Sequence, residues 1–120
     1  MTSLGQGQTI PGQPSETLSM TLADLQAKGH LCDLTLKARG SAFKVHKVVM
    51  ANHAHNIREE LLKHHEYRHL EIDLDLDPNI LHLLLTYIYT GTVHLYDCDL
   101  PELESAANLL GVHTFKKLCQ

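Results

Sequence analysis

Leu70, Ile72, Leu74 and Leu76 alternate without interruption with Glu71, Asp73, Asp75 and Asp77. A period of two places the apolar side chains on one face of a β-strand and the carboxylates on the other. Carboxylates two residues apart then stand about 7 Å from one another, as on a solvated sheet face. A calcium loop needs a glycine for its turn and ligands that do not alternate, and this segment has neither. Asp77-Pro78 supplies an N-cap followed by proline at the first helical position. From Ile80 to Tyr89 the chain is apolar almost all round, which predicts a central buried helix closed by Thr90-Gly91.

The other segments read as elements around that helix. Residues 1–14 are Gly, Gln, Thr and Pro with little to bury, and form an expected flexible lead. Ser15 offers an N-cap, Leu18, Leu22 and Leu25 make one helical stripe, and Lys28-Gly29 ends it. So short a helix needs a partner surface, in its own chain or in another. Cys32, Leu34 and Leu36 predict a strand; Arg39-Gly40-Ser41 turns the chain, and Phe43 and Val45 lead a second strand of a hairpin. Met50, Ala54, Ile57 and Leu61 lie on a helical stripe from Lys47 to about Leu62, with a possible break at Asn52-His53-His55-Asn56. Val93 and Leu95 predict a short strand. Asp99-x-x-Glu102 resembles a capping box for a helix buried through Leu103, Ala106, Ala107 and Leu110 and stopped by Gly111. Thr114 to Cys119 reads as a last helical turn or two.

With 120 residues, 43% of them hydrophobic, the chain is expected to form one domain over residues 15–120. Ten Lys and Arg against fourteen Asp and Glu give a net charge of −4, against direct contact with nucleic acid. There is no run of about 18 apolar residues, so no membrane contact is expected, and the start lacks the basic and apolar regions of a secretory signal. Cys32, Cys98 and Cys119 form no CxxC pair and read as small buried hydrophobes in a reducing compartment.

Ten histidines raise the question of metal. His30, His53-Ala54-His55, His64-His65 and the His65 to His69 spacing lack the two close ligand pairs of a structural zinc site, and HExxH is absent. No GxSxG elbow or glycine-rich phosphate loop follows a strand. No metal, cofactor or catalytic residue is therefore expected. His46 reads as a hydrogen-bonded buried histidine.

Four stretches carry a family resemblance: Cys32-Asp33-Leu34-Thr35-Leu36, Phe43-Lys44-Val45-His46-Lys47-Val48-Val49-Met50-Ala51, Tyr87-Ile88-Tyr89-Thr90-Gly91-Thr92-Val93 and Ala106-Ala107-Asn108-Leu109-Leu110-Gly111. In this order and at this spacing the chain resembles a BTB/POZ domain from about Leu18 to Cys119. The resemblance implies an α/β (α+β) fold, a helical cluster capped by a small mixed sheet, without enzymatic activity and usually a homodimer. It implies exchange of the first helix across a two-fold axis, with Leu18, Leu22 and Leu25 at the interface and partner peptides in grooves beside it. Asp33 and Lys47 match a charged pocket at the dimer centre; spacing alone fits a wet edge as well. After Ala51 the chain departs from the pattern, with Ala54 where serine is usual and Ile57 where phenylalanine is usual. Ile57 keeps the buried stripe, but the usual side chains for a partner site there are absent.

Two functions of this family's kind are expected. One is a nuclear transcription regulator whose zinc fingers follow this domain, which dimerises and recruits corepressors. The other is a cytoplasmic adaptor that binds a cullin scaffold and carries Kelch repeats. Adaptors often have an apolar-x-Glu motif after the third helix, and here Leu62-Lys63-His64 has histidine in place of Glu.

Overall fold

The structure, a computed structural model, describes residues 14–94 and 100–113. The chain runs α1 (Pro14–Lys28), β1 (Leu34–Ala38), β2 (Ser41–Val45), α2 (Lys47–His53), α3 (His55–Lys63), β3 (Leu70–Leu74), α4 (Pro78–Thr90) and α5 (Leu100–Leu110). The lead through Gln13, Leu95 of the short strand, the Asp99 cap, Cys98 and residues 114–120 lie outside the described residues.

β1 and β2 pair antiparallel with Leu34 opposite Val45 and Ala38 opposite Ser41. That register leaves a two-residue turn of Arg39 and Gly40, at φ +47° and +92°. Two consecutive positive φ values match the right-handed twist of the flanking strands. β3 returns on the other side of β1, parallel to it, giving the mixed order β2-β1-β3.

The apolar periodicities are spent on one core. α4 buries Ile80, Leu81, Leu84, Leu85, Ile88 and Tyr89, and α5 covers it with Leu103, Ala106, Ala107 and Leu110. The sheet contributes Leu34, Leu36, Ala38 and Val45. Met50, Ala54, Ile57 and Leu61 are all buried, on two helices that break at Ala54. Asp77 caps α4 by accepting from the Asn79 N–H at 2.8 Å, and Gly91 ends it at φ +83°.

Four local expectations differ. α1 starts at Pro14, so Ser15 lies inside the first turn and is not its cap. β1 starts at Leu34, two residues after Cys32, because the chain passes Leu31 in the left-handed region before it straightens. β3 ends at Leu74, because beyond it the chain turns toward the cap of α4, so Leu76 and Asp77 stand outside the strand. Val93 carries no strand pairing among the described residues and packs its side chain against the core instead.

Candidate interaction surface

α1 lies against α4 of its own chain, with Leu22 and Ala23 packed on the core. Its leucine stripe is only partly used there: Leu22 and Leu25 are half-buried, while Leu18 remains 57% exposed. On α2, Val49 and Met50 turn inward and Val48 is left 72% exposed. Leu18, Leu22, Val48, Val49, Ile88 and Tyr89 line a groove of about 480 Å³ between α1 and α2, with Ser19, Asn52 and His53 at its polar margin. Loss of surrounding water lowers the His53 imidazole from its ordinary value, which favours its neutral form at this margin. The groove is thus apolar and open, which suits a protein surface better than an ion.

Beneath it, Tyr89 ties α4 to the entry of α2. The His46 backbone N–H donates to the Tyr89 hydroxyl oxygen at 2.9 Å, and His46 Nδ1 stands 2.8 Å from the same oxygen. His46 Nε2 is 2.9 Å from the His30 carbonyl, which can only accept. The proton therefore sits on Nε2, and Nδ1 accepts from the Tyr89 hydroxyl. His46 is 5% exposed with every polar group satisfied, the buried hydrogen-bonded histidine the sequence implies. Cys32 Sγ lies 3.7 Å from His46 Nε2. Burial, then the Asp33 charge, push its thiol pKa up, opposite to what a nucleophile needs.

Tyr89→Phe removes one atom and leaves two buried groups of His46 without a partner. A loss of about 2 kcal/mol is expected in chemical denaturation. Burial also pushes the Tyr89 phenol up to about 12 from 10.0. Stability contributed by the neutral phenol is complete below pH 10 and falls as pH rises through about 12. That alkaline decline should shrink in Tyr89→Phe; an unchanged alkaline profile would count against this role.

Asp33 and Lys47 do meet, but backbone to side chain. Asp33 Oδ1 accepts the Lys47 backbone N–H at 2.7 Å, while the Lys47 ammonium donates to the Tyr67 carbonyl. α2 has no cap from its own N-cap residue, His46, so the carboxylate of Asp33, just ahead of β1, takes that place. An asymmetry follows. Asp33→Ala should cost about 1–2 kcal/mol by removing the cap, whereas Lys47→Gln should cost under about 1 kcal/mol at an exposed contact. Equal losses in thermal or urea unfolding would show that the two side chains act as an ion pair instead.

The leucine stripe is legible from spacing, and Val48 is less so. Its signal was available: Val48 is an apolar residue that lies off the Met50-Ala54-Ile57-Leu61 stripe. Leu31 is a further exposed apolar residue, 80% exposed at φ +59°. Among the described residues, no group of three or more His, Cys, Asp or Glu side chains is placed to hold a metal ion.

The family model of the BTB/POZ domain matches residues 22–120, and the chain belongs to that family. It is 37% identical over 98 residues to Kelch-like protein 31 of Danio rerio, covering 82% of this chain and 15% of that protein. It is 31% identical over 112 residues to human zinc finger and BTB domain-containing protein 37, covering 92% of this chain and 22% of that protein. The BTB domain of zebrafish PATZ1 superimposes with a TM-score of 0.82 at 22% identity, covering 95% of each chain, a likeness of fold. The chain therefore spans less than a quarter of the length of these two sequence relatives. BTB/POZ domains are protein-interaction modules that dimerise and bind protein partners, and the relatives include both zinc-finger and Kelch-like proteins.

Proposed function

We propose that this domain homodimerises through the α1–α2 face and serves a nuclear transcription regulator by receiving corepressor-type partners in grooves beside the interface. The observation that carries this reading is the open apolar groove, with Leu18 57% and Val48 72% exposed on facing helices. A second chain covering that face would bury what one chain leaves in water, on a self-complementary two-fold patch. Leu18, Leu22 and Leu25 are the interface residues of α1 in this reading, and exchange of the helix between chains is part of it. Asp33 and Lys47, both half-buried already, fall at the dimer centre. A net charge of −4 fits a domain that leaves DNA contact to other parts of its protein.

The second reading is a cytoplasmic adaptor of a cullin-type ubiquitin ligase. The 37% identity to a Kelch-like protein favours it. His64 weighs against it: the imidazole, just past the end of α3, stands 3.4 Å from Glu60, where adaptors often carry a carboxylate. Isothermal titration of the domain with a corepressor-derived peptide and, separately, with the N-terminal region of a cullin separates the two. Saturable binding of the peptide alone supports the regulator; binding of the cullin alone replaces it with the adaptor.

A further inference from the structure

β3 is an edge strand, and its free side is a second groove. β3 pairs only with β1 among the described residues. The Leu70 N–H donates to the Asp33 carbonyl across that ladder at 3.3 Å. Backbone direction alternates along a strand, so Leu70, Ile72 and Leu74 face β1, while Glu71 and Asp73 aim their N–H and C=O groups at the open edge. Residues of both parities, Leu70 through Leu74, line one cavity of about 460 Å³ whose far wall holds Ile57, Glu60 and Leu109. With β1 on the other side of β3, a cavity lined by five consecutive strand residues fits a groove along the free edge.

We propose that this edge receives an extended segment of a partner protein with the alternating pattern apolar-basic-apolar-basic-apolar. The charges select that occupant. In an antiparallel pairing, partner residues directly opposite Glu71 and Asp73 exchange both backbone hydrogen bonds with them and share their solvent face. Basic side chains there meet two carboxylates; Asp73 has no ion-pair partner among the described residues, and Glu71 is held only by Lys37 at 3.4 Å. The intervening apolar side chains point to the other face, toward Ile57, Ile72 and Leu109. A second copy of β3 fits badly, since Glu71 and Asp73 would oppose acidic residues of the copy. Nor do the chain's own remaining segments carry the pattern. Residues 1–13 and 95–99 have no Lys or Arg, and Lys116 and Lys117 are adjacent, so a strand would send them to opposite faces.

The probe is the synthetic peptide acetyl-Val-Lys-Val-Lys-Val-amide, titrated calorimetrically at low salt against the whole chain. Three comparison peptides accompany it: a Lys-Lys-Val-Val-Val isomer, a Glu analogue, and a version N-methylated at both lysines. Saturable binding is expected for the alternating peptide, weakened at least tenfold by rearrangement or N-methylation and abolished by Glu. Asp73→Pro removes an outward N–H and no β1–β3 ladder bond, and should weaken binding similarly; if it does not fold, the N-methylated peptide carries the same test. No binding, or binding indifferent to N-methylation, overturns the proposal and leaves the carboxylates as protection of an exposed edge. Binding that appears only in a Lys116→Glu, Lys117→Glu variant would also overturn it, because the edge would then belong to the chain's own end. The dimer reading is untouched by any of these results, since β3 does not line the α1–α2 groove.

Discussion

Val48→Glu combined with Leu18→Glu is expected to convert a dimer into a folded monomer. Within one chain both side chains are largely in water, 72% and 57% exposed, so the charges cost the monomer little. Across a two-fold interface each substitution occurs twice, and an uncompensated buried charge costs about 3–5 kcal/mol. Even partial relief at the interface leaves a weakening on the order of ten-thousandfold. Sedimentation of the variant at about ten micromolar should give the chain mass, with the helical far-ultraviolet spectrum retained. A variant that remains dimeric would move the interface away from α1 and α2. One that unfolds would show that these side chains support the chain's own core.

Gly111→Ala is expected to lose about 3 kcal/mol, although it adds a single methyl group. Gly111 ends α5 at φ +83°. An added Cβ would stand 2.7 Å from the Asn56 backbone nitrogen and 3.2 Å from His55 Cβ. Neither neighbour is free to withdraw, because the α5 end and the α3 start are locked together. The Gly111 carbonyl accepts the His55 N–H at 3.0 Å, and Asn56 Nδ2 donates to the Leu109 carbonyl at 3.0 Å. Left-handed strain and the backbone clash therefore add. Urea unfolding measures the loss, and a variant within about 0.5 kcal/mol of the parent would mean that α3 and α5 are not so joined.

Elements whose apolar period repeats several times were legible in advance. The Leu70–Leu74 alternation, the Met50-Ala54-Ile57-Leu61 stripe and the all-apolar α4 are strand and helices where spacing places them. Ends were less so. Ser15 is a good cap by composition, yet the helix runs past it to Pro14, and Leu76 continues the alternation after the strand has ended. In both places a local preference yields to the path that the packed elements impose on the chain.

The site was legible in position more than in chemistry. Asp33 and Lys47 lie beside one another within one chain, but the carboxylate takes a backbone N–H and the ammonium goes to Tyr67. Residue types cannot reveal that α2 lacks a cap from His46 and borrows one from Asp33. The role of Tyr89 was hidden for a similar reason. Its period marks it as core, while its hydroxyl serves a histidine that lies 43 residues earlier in the chain.

Sedimentation equilibrium of the unmodified chain at micromolar concentration tests the central claim most directly. The open apolar face of α1 and α2 predicts a mass close to twice the 13.5 kDa of one chain. A stable, folded species at 13.5 kDa over that range would contradict it.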